Sequence, residues 1–446
     1  MLGPRVVVAG THSGAGKTTV ATGLMAALRR RGTVVGSAKV GPDFIDPGYH
    51  ELATGRPGRN LDPWMCGADL VAPLAARAAA GTDVLVVEGV MGLFDGAADG
   101  SPSSTADVAV ALDAPVLLVV DCSSQAASVA ALVHGFATFD PRVRIAGVVL
   151  NRLASDSHEA MVRAALAAMD RPVPVVGALR RDPRLAWRDR HLGLIPVAEH
   201  PDDVGVALDA LAELVAASCD LEQVVRIART APDRSAADVP MPRPAGAARV
   251  AVAGGRAFTF QYPDNLEALA AAGAELVPFD PLVDEALPAD IDGLVIGGGF
   301  PEVMAGSLGA NEALRRDVAA RRAAGLVTWA ECGGLLWLAR SLDGHPMVGA
   351  VPVDAAMTER LTLGYRTARQ QVATPLGPVG TVLRGHEFHY TATDPPGAAL
   401  QLTGRTGTAP GGFATPTLLA SYLHVHLAGQ PALAEAFVAT ATPART

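Results

Sequence analysis

Two stretches of the 446-residue chain gather residue types that can do chemistry. The first is Gly10-Thr-His-Ser-Gly14-Ala-Gly16-Lys17-Thr18-Thr19, which follows the apolar run RVVVAG (5–10) and opens a helix-like stretch (19–31). Strand, glycine loop and helix start, in that order, make a phosphate cradle. Backbone N–H groups around Gly14, Gly16 and Thr19 would face phosphate oxygens, Lys17 would neutralise β/γ charge, and the Thr18 hydroxyl would ligate Mg²⁺. The second is Trp329-Ala-Glu-Cys332-Gly333-Gly334, set between an apolar strand and the helical run LLWLAR. A cysteine followed by two glycines at a strand-to-helix elbow is lifted above a sheet as a nucleophile, and the helix N-terminus would lower its thiol pKa. Oxyanion donors would come from Gly333 and from Gly298 and Gly299 of GGGFPE, at the end of the preceding strand. Ser421-Tyr-Leu-His424-Val-His426 supplies the base. One intervening residue on a strand points both imidazoles the same way, so that one would take the thiol proton and the other orient it.

Other polar residues stand at strand ends, where a parallel sheet opens its crevice. Glu88 closes DVLVVE and would hold the metal, directly or through water, or cap the next turn. Asp95 follows in GVMGLFDG, where Asp-Gly is also a turn signal. Lys39-Val-Gly-Pro-Asp43-Phe-Ile-Asp46-Pro-Gly-Tyr-His50 is the densest polar cluster of the first half and reads as a metal, phosphate or carboxylate contact. Only two of the 36 basic residues are lysines, Lys17 and Lys39. In a chain that otherwise uses arginine, both sit where a compact ammonium is needed. Asn151, ending VVLN, would either read an adenine edge or form a strand-end turn. His386-Glu-Phe-His389 is too closely spaced for a zinc-protease motif and reads as strand or loop at a substrate cleft. Arg180, Arg181, Arg188, Arg190 and His191 either bind a polycarboxylate or form a solvated face.

These residues need a scaffold, and the composition supplies one. Half the residues are hydrophobic, 18% are charged and mean hydropathy is +0.27, which suits a compact α/β enzyme and excludes a disordered chain. A net charge of −9 argues against a general nucleic-acid or anionic-membrane surface. Four scattered cysteines exclude a disulfide framework, and no apolar run reaches the roughly 18–20 residues of a membrane span. The chain begins directly on a strand with no signal-peptide pattern, so reducing cytoplasm is the expected compartment. Continuous Val/Leu/Ile strands alternate with Ala-rich helical stretches over the first 200 residues, predicting a parallel sheet covered on both faces. The expected organisation is a synthetase domain at 1–200, a helix and linker at 201–246, and a second α/β domain at 247–446.

THSGAGKTT, KVGPDFIDPGYH, RNLDPW, VEGVMGLFDG, VVLNR, RHLGLIPVAE, FTFQYPDNLEAL, GGGFPE, ECGGLLWL, GHEFHY and ASYLHVH occur in this order. In that array the chain resembles the cobyrinic/hydrogenobyrinic acid a,c-diamide synthases of corrinoid (vitamin B12) synthesis, almost from end to end. Its phosphate loop has Gly10 and Thr11 where the usual spacing has glycine at 11, and so resembles the dethiobiotin-synthetase-like branch of P-loop enzymes. The resemblance implies a P-loop, ATP-dependent amide-forming domain followed by a class I glutamine amidotransferase domain. It places Cys332 and His424 on the nucleophile and base, and Lys17, Thr18, Asp43, Asp46, Glu88 and Asp95 on the synthetase motifs. Many class I amidotransferases carry an acid two residues after the histidine. Here that residue is His426, so only a Cys–His pair is assigned. ATP and Mg²⁺ are the implied cofactors, a corrinoid polycarboxylate and L-glutamine the substrates, and a homodimer the assembly to test. A synthetase acting on another tetrapyrrole such as sirohydrochlorin, a P-loop ATPase without ligase activity, and a non-catalytic binding module stay open on sequence.

Overall fold

The structure, a computed structural model, describes residues 1–97, 99–182, 189–190, 193–194, 197 and 201–443. It divides into two units, Met1–Val239 and Pro240–Thr446. The first is built on β1 (Arg5–Gly10), β2 (Val35–Val40), β3 (Arg59–Leu61), β4 (Val84–Glu88), β5 (Val116–Asp121), β6 (Ile145–Leu153) and β7 (Val175–Arg180). All seven are parallel, in the order β3-β2-β4-β1-β5-β6-β7. Every residue of β1, β2 and β4 is buried, which is why these strands read as unbroken apolar runs rather than as alternating ones. Helices α1 (Lys17–Arg30), α2 (Ile45–Thr54), α3 (Pro63–Cys66), α4 (Val71–Ala78), α5 (Thr105–Leu112), α6 (Ser128–Phe139) and α7 (Asp156–Ala167) connect them, and β8 (Asp189–Arg190) pairs with β9 (Gly193–Leu194).

Helices α8 (Pro201–Ser218) and α9 (Leu221–Ala228) complete this unit rather than bridging to the next. Leu208, Leu211, Ala212 and Val215 share one core with Val20, Leu24 and Leu28 of α1. The two helices cross so closely at Gly23 that a Cβ there would lie 2.5 Å from Val215 Cγ2. The chain then returns to the N-terminus, where Leu2 bridges to Arg234. The fully buried Arg5 donates to the carbonyls of Leu2, Gly3, Leu112, Asp113 and Pro232. The stretch expected to be helix and linker is therefore split. Its helical part belongs to the first unit, and from 235 to 247 there is neither helix nor strand.

The second unit runs β10 (Ala248–Ala253), α10 (Pro263–Ala271), β11 (Ala274–Phe279), β12 (Gly293–Ile296), α11 (Ala305–Ala310), α12 (Glu312–Ala323), β13 (Val327–Glu331) and α13 (Gly333–Leu338). It continues through β14 (Ser341–Leu342), β15 (His345–Pro346), β16 (Asp354–Gln370), β17 (Val382–Asp394), β18 (Leu400–Gly404), β19 (Gly407–Gly411), β20 (Phe413–Thr415), β21 (Leu418–Ser421), β22 (His424–Val425) and α14 (Ala432–Ala441). One sheet, β11-β10-β12-β13-β21-β20, is parallel except for its last pairing. Cores lie on both of its faces, with Trp337 and Phe258 in one and Trp329 and Phe437 in the other. A second sheet, β15-β14-β16-β17-β22, is built around the β16/β17 hairpin. The two α/β sheets agree with the fold class expected from sequence. All four cysteines are buried, and none is in a disulfide. Among the described residues no helix is long and apolar enough to cross a membrane.

Candidate active sites

Strand register assembles the first site. β1, β4 and β2 are neighbours, with Val8 opposite Glu88 and Glu88 opposite Lys39. Glu88 Oε1 accepts from Thr18 Oγ1 at 2.6 Å and from Lys39 Nζ at 2.9 Å, while Oε2 lies 2.6 Å from His50 Nε2. Lys39 Nζ also lies 2.6 Å from Asp46 Oδ2, and Thr18 Oγ1 is 3.4 Å from that oxygen. Thr18, Lys39, Asp46 and Glu88 are thus brought into one buried cluster at the start of α1. Gly14 and Gly16 both have positive φ, as a tight phosphate loop requires. The Lys17 ammonium lies over the loop, 3.3 Å from the His12 carbonyl.

Other sequence candidates play parts the spacing did not show. Asp43 Oδ1 accepts from the N–H groups of Ile45 and Asp46, both at 2.8 Å, and so caps α2. Asp95 Oδ2 accepts from Gly92 N at 2.9 Å and braces its own turn. Asn151 Nδ2 donates to the Ala15 carbonyl at 2.9 Å, and a Cβ on Gly16 would meet that nitrogen at 2.1 Å. Its amide therefore props the phosphate loop from beneath, a role distinct from both sequence readings. Arg180 pairs with Asp156 and Glu159. Arg188 and His191 of the basic stretch lie outside the described residues.

In the second unit β12, β13 and β21 end side by side. Cys332 follows β13 with φ 46° and ψ −100°, a backbone conformation that costs a non-glycine residue about 1–3 kcal/mol. Its N–H donates to the Ser421 carbonyl at 2.7 Å, which helps to hold the elbow. The two glycines that follow are demanded by close approach. A Cβ on Gly334 would lie 2.5 Å from the Ile296 carbonyl, and one on Gly333 would lie 3.0 Å from Gly299 N. His424 is buried, hydrogen-bonds to Cys332 and turns Nδ1 toward Glu331 Oε2 at 3.6 Å. Gly298 packs flat on this ring. Its N–H donates to the Phe260 carbonyl at 3.2 Å, so among the three expected oxyanion donors that of Gly298 is committed elsewhere. A Cβ there would sit 2.5 Å from His424 Cε1. Gly298→Ala should therefore displace the imidazole and lower glutamine hydrolysis by about 10-fold or more, while the melting temperature stays near that of the wild type. A wild-type rate would show that the ring has room to move.

Residues 249–432 match the CobB/CobQ-like glutamine amidotransferase domain, and residues 6–194 match the CobQ/CobB/MinD/ParA nucleotide binding domain. The hydrogenobyrinate a,c-diamide synthase of Streptomyces coelicolor is 51% identical, over 98% of this chain and 97% of the relative. That of Thermobifida fusca is 48% identical, over 99% and 98%. The cobyrinate a,c-diamide synthase of Syntrophotalea carbinolica is 45% identical, over 98% of both. The chain belongs to the cobyrinate/hydrogenobyrinate a,c-diamide synthase family.

For a member of the a,c-diamide synthase family, the electrostatics of both sites bear on activity. Burial would raise the Glu88 pKa, but the Lys39 charge and hydrogen bonds from His50 and Thr18 hold it well below the carboxylate range. Burial and the negative charges of Asp43 and Glu88 push Asp46 well up, against Lys39. Two buried carboxyl groups thus share the Lys39 ammonium, with His50 on the second oxygen of Glu88. Burial and the Lys39 charge push Lys17 down to about 8. In the thiol site, burial would depress His424, but a hydrogen bond to Cys332 and the nearby charges of Cys332 and Glu331 hold it up at about 10. The HEFH segment lies in β17, where His386 faces His424 with ring centroids 4.9 Å apart and His389 stacks on Tyr422 at 3.7 Å. It forms a wall of the thiol site. His426 accepts from Ala428 N at 3.3 Å and packs on Tyr262, so it caps the turn after β22.

Two residues in these sites were missed in sequence. The sequence reading gives His50 no role, although a histidine in the helix just after the Lys39 strand is a usable signal. Glu331 ends a buried parallel strand, the same signal that singled out Glu88.

Proposed function

We propose that this protein amidates the a- and c-acetate carboxylates of a corrinoid, hydrogenobyrinic or cobyrinic acid, with ATP and with ammonia taken from glutamine. The names of its relatives support this reading. The observation that carries it is the presence, in one chain, of a phosphate loop with a buried Lys–carboxylate cluster and of a strained cysteine hydrogen-bonded to a buried histidine. A carboxylate is a poor electrophile and needs activation, and a thiol site alone cannot activate it.

At the thiol site Cys332 attacks the glutamine side-chain amide, with N–H groups of Gly299 and Gly333 as the oxyanion donors. His424 takes the thiol proton and delivers it to the departing ammonia. Water then hydrolyses the thioester to glutamate. At the phosphate loop a corrinoid carboxylate oxygen attacks the γ-phosphorus of ATP and ADP leaves. Lys17 stabilises the transferring charge. Ammonia displaces phosphate from the acyl phosphate, and a second round amidates the second acetate. The oxygens of Thr18 and Glu88, 2.6 Å apart, form a hard donor set suited to Mg²⁺. Mg²⁺ held there would neutralise phosphate charge. A cytoplasmic homodimer completes the proposal, and light scattering tests the assembly.

The direct test is mass spectrometry after incubation with ATP, Mg²⁺, glutamine and each of cobyrinic and hydrogenobyrinic acid. A diamide from either supports the reading. Amidation of sirohydrochlorin instead, or ATP turnover with no amide formed, would overturn it. The two aspartates of the 39–50 segment make different contacts, which supports different roles for them. Asp46→Asn should impair ATP-dependent amidation by about 100-fold, because it removes a member of the buried cluster. Asp43→Asn keeps a side-chain oxygen for the N–H groups of Ile45 and Asp46, so it should change stability by only about a few tenths of a kcal/mol, with a far smaller kinetic effect. Steady-state kinetics and thermal unfolding of both variants distinguish the outcomes, and equal kinetic losses would put Asp43 in the chemistry.

A further inference from the structure

The thiol site has a nucleophile and a base, but the position two after the base, His426, cannot offer a carboxylate. We propose that Glu331, the residue immediately before the nucleophile, is the positioning carboxylate of this site: it holds His424 by Nδ1 and leaves Nε2 for the Cys332 sulfur. The proposal rests on the reading of Cys332 and His424 given above.

Three observations carry it. Glu331 closes the buried strand β13 opposite Ser421, so its side chain is delivered to the end of the sheet where Cys332 and His424 meet. Its carboxylate is fixed, because Oε1 accepts the N–H of Val425 at 2.9 Å. That bond ties the acid to the residue next to the base. The second oxygen then faces His424 Nδ1 at 3.6 Å, with Glu331 only 6% and His424 1% exposed. Two groups this well buried owe their relative orientation to packing that cannot relax cheaply.

The other ionisable groups around His424 are engaged differently. From β17, His386 stacks on its ring, and burial together with the charges of His424 and His426 keeps His386 neutral. Glu387 also acts on His424 by charge, but its carboxylate takes Arg366 Nε at 2.8 Å. His389, pushed down to about 4 chiefly by burial, stacks on Tyr422, whose hydroxyl burial pushes up. His426 caps the turn after β22. Cys332 is the reacting partner. Glu331 takes part in no covalent step: the proton moves from Cys332 Sγ to His424 and from His424 to ammonia, and the carboxylate stays ionised throughout. It sets the tautomer and angle of the ring and steadies the imidazolium.

The experiment compares Glu331→Gln, which keeps an acceptor for Val425 N–H but loses the charge, with Glu331→Asp, which keeps the charge. The expected result for Glu331→Gln is a fall in kcat for glutamine hydrolysis of roughly 100-fold with little change in KM, and unchanged ammonia-dependent amidation. Alkylation of Cys332 by iodoacetamide, with the Cys332→Ser background subtracted, adds a readout that a mere strut would not move. In Glu331→Gln the pH at which the thiolate becomes reactive should rise by about one unit or more, whereas Glu331→Asp should keep the wild-type profile. Proton NMR of the wild-type enzyme needs no Glu331 variant. A far-downfield ring N–H resonance, absent in His424→Gln, is expected for an Nδ1–H held by a carboxylate. Absence of that resonance in the wild type overturns the proposal. So does a Glu331→Gln enzyme with wild-type kcat, or equal kcat losses in both variants with unmoved alkylation profiles. If Cys332→Ser still hydrolyses glutamine, the underlying reading has failed; if Cys332→Ser is inactive and Glu331→Gln is unaffected, only the role of Glu331 has.

Discussion

Replacing Cys332 with serine is expected to abolish glutamine-dependent diamide formation, by about 10⁴-fold or more, while ammonia at high concentration restores it. The hydroxyl is far less ionised than a thiolate but nearly the same size, so the elbow should tolerate it. The backbone conformation at 332 is set by the bond to the Ser421 carbonyl and by glycines that let α13 approach β12, none of which involves the sulfur. ATP turnover should stay dependent on corrinoid, because the acyl phosphate forms in the other unit. Product analysis with each nitrogen source checks this. Loss of both activities in a well-folded variant would place Cys332 in the synthetase chemistry. Retained glutamine use would remove it as the nucleophile.

Lys17→Ala should do the converse, with amidation falling by about 10³-fold or more from either nitrogen source and glutamine hydrolysis surviving at least in part. The lysine also offers a binding signature. Its pKa of about 8 in the free enzyme is low because burial and Lys39 oppose the ammonium. Triphosphate charge favours the protonated form, so ATP binding at about pH 9 should take up close to one proton, and binding near pH 6.5 almost none. Calorimetry in buffers of different ionisation enthalpy measures this uptake. Lys17→Ala should lose it, and an unchanged uptake would assign the proton to another group.

Both signature motifs were legible because each is local: a strand, a turn with the right glycines and a helix start lie in one contiguous run. Glu88 was legible from its place at a strand end. The same rule applies to Glu331, but the family pattern points to an acid two residues past His424. LLASYLHVH reads as one strand, and on one strand His424 and His426 would act together. The chain instead breaks at Tyr422 and Leu423, so that β21 stays in the first sheet while β22 joins β17 in the second. Alternation could not survive that change of sheet. Asn151 is a different case. A strand-end amide can be found from spacing, but its partner, the Ala15 carbonyl, is 136 residues away. The same holds for α8, whose helical character is local and whose docking on α1 is not.

That docking, with the Arg5 contacts, sets a timetable for the nascent chain. Seven strands of the first sheet have been made by residue 180, but the part of α1 that packs on Leu211 and Val215 stays uncovered until α8 follows. Arg5, near the very start, waits for a carbonyl at residue 232. Closure of the phosphate-binding unit therefore comes only when about half the polypeptide has left the ribosome. A fragment ending at residue 200 should remain a collapsed, protease-sensitive intermediate, whereas one ending at 239 should close on its own.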